Sequence, residues 1–178
     1  AENILICIAW PYANAEIHVG NIVGSHLPAD IAARYYRLKG ANVLVVSGSD
    51  SHGTPVTVRA DAEGKTPLEV YERFHKHFID LFVACGITYD LYTSTHTENH
   101  FKVSQDIFLR LLERGYLYTQ VEKQWYSPEQ SRFLPDRYVE GTCYICGYDG
   151  ARGDQCDKCG NLLDATQLIN PRAKGSTG

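Results

Sequence analysis

The apolar positions begin as a solid block, Ile4-Leu5-Ile6-Cys7-Ile8, with no polar residue between them. A half-buried strand alternates, whereas a strand covered on both faces does not, so this run predicts a buried parallel strand. From 19 to 39 the spacing becomes helical, with Ile22, His26, Ala29, Ala33 and Tyr36 near one face and Gly40 as the stop. Pro28 disturbs that helix, because it lacks a backbone donor and crowds the residue four back. That residue is Gly24, which eases the crowding, so a kink near 24–28 is expected. Val43-Leu44-Val45-Val46 predicts a second buried strand. Thr54-Pro55 reads as an N-cap followed by Pro at the first helical position, and Gly64 closes that short helix. Thr66-Pro67-Leu68-Glu69 is a capping box. The helix behind it is expected to bury Leu68, Tyr71, Phe74, Phe78, Leu81, Phe82 and Cys85 and to stop at Gly86. A short third strand is expected at 89–92. Thr95-His96-Thr97-Glu98 repeats the capping-box pattern, with Phe101, Ile107, Phe108, Leu111 and Leu112 as the next apolar face and Gly115 as its end.

The resulting order, β-α-β-α-α-β-α, is that of an α/β protein with a doubly wound, mostly parallel sheet. After Gly115 the texture changes to aromatic and β-branched residues broken by turn signals such as Ser127-Pro128. Residues 116–178 are therefore expected to form a second, smaller region of short antiparallel strands, with a cysteine knuckle at about 141–162 and a loop-like end at 174–178.

Composition narrows the class. Hydrophobic residues at 44% and charged residues at 21% are those of a soluble globular protein. No apolar run approaches the length needed to span a bilayer, so no membrane association is expected. A net charge of −4 argues against coating nucleic acid through bulk charge, though not against local contacts. No basic flank precedes a leader-like core, so no signal peptide and a reducing, cytoplasmic setting are expected. Among the six cysteines, Cys7 and Cys85 are expected to be small core residues. Cys143, Cys146, Cys156 and Cys159 form two Cys-x-x-Cys pairs, a four-thiolate set suited to tetrahedral Zn²⁺. Two disulfides or redox pairs are the alternative, which a chain without a secretory signal disfavours. A closed four-cysteine site leaves no position for a reacting water, so its role would be structural.

The chemistry centres on 9–21, where the first strand hands over to the first helix. Ligands of α/β sheets collect outside such strand ends. A Gly at the helix start, Gly20, admits a ligand close to the backbone, and helix-end N–H groups suit phosphate. His18 could donate to a phosphoryl oxygen as charge builds. Taken alone, however, His-x-Gly is equally a turn glycine beside a surface histidine. Asp50, in the polar loop 47–53, could be a turn residue. Trp10 and Tyr12 could be plain core aromatics. His52 could orient Asp50 or cap the next helix. His75, His77, His96 and His100 show no partnering pattern and read as solvated.

Pro11-Tyr12-Ala13-Asn14-Ala15-Glu16-Ile17-His18-Val19-Gly20-Asn21 resembles the first signature of class I aminoacyl-tRNA synthetases, in the form used by the methionyl-tRNA synthetases. Gly48-Ser49-Asp50-Ser51-His52-Gly53-Thr54-Pro55 resembles that family's second strand-end loop. Residues 133–143, Phe-Leu-Pro-Asp-Arg-Tyr-Val-Glu-Gly-Thr-Cys, resemble the entry to its zinc-bearing insertion. The matches run in the family's order over essentially the whole chain. The resemblance implies the first half of a Rossmann-like catalytic domain (1–115) plus much of a connective insertion (116–178). It implies activation of L-methionine by ATP, with Mg²⁺ accompanying the nucleotide, and transfer to tRNA(Met). It implies that His18, Gly20 and Asn21 bind ATP, with His18 and Asn21 also catalytic. It implies that Ala9, Trp10 and Tyr12 line the methionine pocket and that Asp50 holds the substrate's ammonium group. It implies Zn²⁺ on the four clustered cysteines. Trp10 departs from the Leu often found there, and Asn21 stands in place of a second His. The family's other signature, Lys-Met-Ser-Lys-Ser, does not occur in the 178 residues, so these residues alone are expected to aminoacylate little or not at all. A non-catalytic zinc-knuckle module that binds RNA or protein is the rival reading, and another nucleotidyl-transferring enzyme is a second.

Overall fold

In the computed structural model, which describes residues 1–128 and 131–174, the chain divides into two compact units, Ala1–Leu117 and Tyr118–Gly178. Of the loop-like end expected at 174–178, residues 175–178 lie outside the described residues.

The first unit is built on a parallel sheet of three strands, β1 (Asn3–Cys7), β2 (Asn42–Ser49) and β3 (Leu91–Ser94), in the order β1-β2-β3. Its helices are α1 (Val19–Asn21), a π-helical turn (Ile22–His26), α2 (Leu27–Leu38), α3 (Thr54–Glu63), α4 (Pro67–Ala84) and α5 (Glu98–Glu113). α1, the π turn and α2 run on without a break. Here the structure answers the Pro28 problem with a widened turn: Leu27 N–H donates five residues back, to Ile22 O. The helix in effect restarts at Leu27, so Pro28 falls in a first turn, where a missing donor is tolerated.

α4 supplies most of the core. Val70, Tyr71, Phe74, Phe78 and Phe82 are buried on it, packed with Ala13, Val56, Ala60 and Ile87. Its capping box forms as expected: Glu69 N–H donates to Thr66 Oγ1, and Thr66 N–H donates to Glu69 Oε2. The repeat of that pattern does not form. Thr97, not Thr95, caps α5 by accepting from His100 N–H. Thr95 instead donates its N–H to Ser49 O and pairs its hydroxyl with Ser51, so strand pairing claims it first. α3 likewise begins one residue early, with Gly53 at the N-cap in a left-handed conformation (φ 108°) that a side chain rarely adopts.

Several burial expectations are corrected, among them Leu68 on α4, which is 44% exposed. The sheet is covered on one face only in this chain: Ile4, Ile6 and Val45 turn inward, while Leu5, Cys7 and Leu44 are exposed on the other side. Cys7 is therefore a surface thiol on the bare face. Cys85 is also exposed, because it is the C-cap of α4. Ile107, Phe108, Leu111 and Leu112 on α5 make an apolar face that no described residue buries.

His26 lies 2% exposed in the π turn, against Phe82 at 4.5 Å between ring centroids, with Nδ1 2.7 Å from Tyr89 Oη. Burial raises the Tyr89 phenol above its usual range, so Tyr89 donates and a neutral His26 accepts. Burial also lowers the His26 pKa from 6.5. The unfolded chain therefore takes up this proton first as pH falls. The associated stability is complete above about pH 6.5 and declines as pH drops toward the folded value. Thermal melts at pH 8 and 5.5 should show the loss, and His26→Gln should flatten that slope.

The second unit carries β4 (Tyr126–Ser127) paired with β5 (Arg132–Phe133), and a separate antiparallel sheet of β7 (Asp149–Arg152), β6 (Val139–Thr142) and β8 (Ile169–Ala173). Residues 116–125 form no strand. Trp125 Nε1–H donates to Ala165 O at 2.7 Å, and Gly153 sits where a Cβ would lie 2.4 Å from Asp136 O. No helix among the described residues is long and apolar enough to cross a membrane.

Candidate functional site

The first cluster forms where β1 and β2 end. Asp50 N–H donates to Pro11 O at 2.8 Å, and Ala13 N–H donates to Asp50 O at 2.9 Å. This isolated parallel bridge, Tyr12 with Asp50, ties the two polar loops together beyond the sheet. The backbone of Asp50 thus carries architecture. Its carboxylate does not: Oδ1 accepts only a long contact from His52 N–H, 3.4 Å. A carboxylate held in place by its own backbone and left with its lone pairs largely uncommitted is suited to a cationic partner.

The aromatics pack around this bridge. A Cβ on Gly48 would lie 2.9 Å from Trp10 Cε3 and 2.6 Å from Thr93 O, so the indole lies on a bare patch of β2 backbone. Gly53 similarly faces Tyr12 Cε1 at 3.8 Å. Trp10 and Tyr12 remain 37% and 48% exposed, so they border open space rather than fill the core. Ala13, between the two loops, is the residue that is buried. Ala9 is exposed in the loop after β1, with no described contact to Trp10, Tyr12 or Asp50.

His18, Gly20 and Asn21 share one turn. His18 is the N-cap of α1, and its ring folds over Gly20: a Cβ there would meet Nδ1 at 2.9 Å. Gly20 thus makes room for this ring position; a side chain there would push the exposed His18 ring aside. Asn21 Oδ1 accepts from His18 N–H at 3.3 Å, which closes the cap. That use of the oxygen leaves the amide nitrogen, a donor, as the polar group Asn21 can offer an anion. No described contact joins this turn to the Asp50 carboxylate; residues 11–13 link the two.

Sequence reasoning missed the back of this site. His75 is half-buried and hydrogen-bonded to Ser49, and His77 Nε2 pairs with the Glu16 carboxylate, so neither is merely solvated. The missed signal is the alternation Ser47-x-Ser49-x-Ser51 at the end of an apolar strand, polar residues where the inward face calls for apolar ones.

The second cluster is the cysteine knuckle. The four sulfurs lie within 4.8 Å of one another, with Cys143 Sγ 4.0 Å from Cys159 Sγ and Cys146 Sγ 3.7 Å from Cys156 Sγ. Disulfide sulfurs stand at about 2.05 Å, so these are free thiols. Four sulfurs at about 2.3 Å from one ion would be about 3.8 Å apart, which fits. Both halves repeat one turn: Gly147 N–H donates to Cys143 O, and Gly160 N–H to Cys156 O, with φ 72° and 73° at the two glycines. The Asn161 side-chain and backbone amides donate to the Cys159 sulfur and hold that thiol down to about 6. Cys146 also receives a Tyr148 backbone hydrogen bond, but burial and the neighbouring sulfurs push it up to about 11. A cation at the centre relieves that mutual opposition. The second unit also has a cavity of about 530 Å³ bordered by Gln120, Glu122, Lys123, Asp136 and Thr166, none of them an expected site residue.

Comparison with known proteins gives a consistent answer. The family described as "tRNA synthetases class I (M)" matches residues 4–177. The methionine–tRNA ligase of Thermomicrobium roseum is 56% identical over 173 residues, 97% of this chain and 30% of that protein. The methionine–tRNA ligase of Roseiflexus sp. is 58% identical over 172 residues, 97% of this chain and 29% of that protein. A solved structure, Mycobacterium tuberculosis methionyl-tRNA synthetase in complex with methionyl-adenylate, superposes with a TM-score of 0.71 at 25% identity, over 91% of this chain and 30% of that one. The chain therefore spans under a third of the length of these relatives. Matched by that family over residues 4–177, and built on a three-stranded parallel sheet with helices between the strands, the chain belongs to the class I (M) tRNA synthetases.

Proposed function

We propose that this chain is the part of a methionine–tRNA ligase that receives the amino acid and one side of ATP. The bridge between Tyr12 and Asp50 carries this reading, because it joins Asp50, whose carboxylate has one long described hydrogen bond, to the loop that carries two half-exposed aromatics at the ends of parallel strands. Asp50 holds the ammonium group of L-methionine, and Trp10, Tyr12 and Ala9 border its thioether side chain. His18 and Asn21 take the phosphates of ATP, which enters as its Mg²⁺ complex, and the adenine packs against Gly20. The methionine carboxylate attacks the α-phosphorus. A new P–O bond forms, the bond to the bridging oxygen breaks, and pyrophosphate leaves with its electron pair. His18 and the Asn21 amide donate to oxygens that gain charge in that step. A hydroxyl of the terminal adenosine of tRNA(Met) then attacks the methionyl carbonyl carbon, losing its proton, and AMP leaves. The reaction is cytoplasmic. Zn²⁺ on Cys143, Cys146, Cys156 and Cys159 supplies a structural cross-link and no step of the chemistry.

ATP–pyrophosphate exchange, run amino acid by amino acid on the intact protein carrying this chain, tests the assignment. Exchange with methionine alone is expected. Exchange with another amino acid, or none at all, would overturn it, and the second outcome would favour a binding module. The 178 residues by themselves should charge no tRNA.

A further inference from the structure

β2 presents two different faces as it leaves the sheet. Gly48 faces Trp10, and Asp50, two residues on, falls on that same side by alternation. Ser47 and Ser49 look the other way, into the layer of helices, as alternation requires. Ser47, Ser49 and Ser51 are 0%, 0% and 5% exposed, and each hydroxyl has a partner. Ser47 Oγ donates to Ile8 O at 3.3 Å, and Ser51 Oγ meets Thr95 Oγ1 at 2.7 Å.

Ser49 differs from the other two because its partners are side chains brought from two other elements. Its Oγ lies 2.9 Å from His75 Nδ1 on α4 and 3.2 Å from Tyr92 Oη on β3. The His75 and Tyr92 rings stack at 5.7 Å with 27° between planes, so the two partners also brace each other. Tyr71 touches His75 from the same helix at 5.5 Å, and its own hydroxyl donates to Ser94. Proton positions follow from burial. Tyr92 is pushed up to about 12, so it stays a phenol and donates. Ser49 has one hydrogen, and with Tyr92 donating to its oxygen that hydrogen goes to Nδ1 of a neutral His75. Burial favours that neutral form.

Ser49 is the residue immediately before Asp50. A strand that rolls about its axis at Ser49 swings the Asp50 carboxylate away on the opposite face. The described backbone bonds of Asp50 to Pro11 and Ala13 anchor it to a loop rather than to the sheet. On the sheet side the anchor is Ser49, held by its backbone, whose carbonyl accepts from Thr95 N–H at 3.1 Å, and on the inward face by its hydroxyl.

We propose that His75 and Tyr92 are positioning residues for Asp50: by gripping Ser49 Oγ from α4 and β3, they fix the roll of β2 at which the carboxylate meets the substrate's ammonium group. This inference rests on the assignment of Asp50 to that group. His75 and Tyr92 touch no substrate, so their effect runs through Asp50. The contact with the ammonium group exists before and during the reaction, so loosening it raises KM for the amino acid while kcat changes little.

The test uses exchange kinetics on the intact protein with His75→Phe, His75→Asn, Tyr92→Phe and Ser49→Ala. His75→Phe keeps the ring but leaves the Ser49 hydroxyl unpaired. His75→Asn offers an amide oxygen where Nδ1 stood. His75→Phe and Tyr92→Phe should each raise KM for methionine about tenfold, with KM for ATP and kcat within about twofold, as for loss of one buried hydrogen-bond partner. His75→Asn should recover most of the loss. Ser49→Ala should behave like His75→Phe and gives the reading if the phenylalanine variant does not fold. If the variants keep wild-type KM for methionine, the proposal is wrong and the assignment of Asp50 stands. If KM for methionine and ATP rise together with a fall in Tm, the network is only structural and the proposal is wrong. If the wild type shows no methionine-dependent exchange, the functional assignment fails and takes this inference with it.

Discussion

Asp50→Asn will fold like the wild type and activate methionine poorly. The two properties separate because Asp50 uses its backbone and its side chain for different things. Its N–H and C=O make the bridge to Pro11 and Ala13, which asparagine keeps. Its carboxylate makes one long bond to His52 N–H, which an amide oxygen also accepts. Stability should therefore move by no more than about 0.5 kcal/mol, the range of an ordinary surface change. The functional change is larger, because in the proposed site the lost charge faces an ammonium ion. A hydrogen bond to a charged group is worth about 1.5–3 kcal/mol, so kcat/KM for methionine should fall about 10- to 150-fold. KM for ATP should stay close to its starting value. Wild-type kcat/KM in a folded Asp50→Asn protein would remove Asp50 from the site. Gly48, two residues earlier, is the useful contrast: any Cβ there runs into Thr93 O and the Trp10 ring, so fold and site fail together.

What could be read along the chain depended on whether a residue's partners were near in sequence. The Thr66–Glu69 box is complete within four residues, and it forms as read. The helix that buries Phe74, Phe78 and Phe82 announces itself by spacing alone. Thr95 carries the same box pattern, yet Ser51, 44 residues away, captures its hydroxyl. The pattern was real, but a long-range bond outranked it. Pro28 was legible as a disturbance and not as a solution, because a π turn depends on what Ile22 and Leu27 can reach. Continuous apolarity in β1 showed what each face would accept, not what this chain brings to cover it: Leu5 and Leu44 are apolar and bare.

The site divides along the same line. The cysteine spacing fixed a four-sulfur cluster because each Cys-x-x-Cys turn is local and its glycines are adjacent. Trp10, Tyr12 and Asp50 were found through resemblance, and their meeting depends on a bridge between two loops nearly forty residues apart in sequence, at Tyr12 and Asp50. His75 gave no local signal. Its partner lies 26 residues away, and only the unexpected serines of β2 hint that an inward hydroxyl needs something to bond.

Cys156→Ser should abolish metal binding and unfold the knuckle while leaving the first unit intact. Among the described residues, the second unit's buried core is small: Leu134, Tyr138, Val139, Ala151, Ala165 and Leu168, with Cys143 and Cys156 themselves at 0% exposure. So small a core needs a staple. Structural zinc supplies about 10–16 kcal/mol in zinc-finger peptides at pH 7, comparable to the whole stability of an ordinary domain. Serine is a poor replacement, because its hydroxyl does not ionise near neutral pH and its oxygen sits short of the sulfur position. A four-ligand site reduced to three thiolates loses the closed tetrahedron that makes it structural. Metal analysis of the reduced wild-type protein should find one zinc per chain, and Cys156→Ser should hold none. Limited proteolysis should then cut within 143–160 in the variant, and in the wild type after chelation, while the melting of residues 1–117 is unchanged. A chelator should act more readily at low pH, where protons compete for the thiolates, and the Asn161 amides oppose that competition at Cys159 by favouring its charged form. Asn161→Ala should therefore weaken zinc retention on acidification without removing it at neutral pH. A protein that arrives zinc-free and still resists protease at 143–160 would show that packing alone holds this unit, and the cysteines would need another explanation.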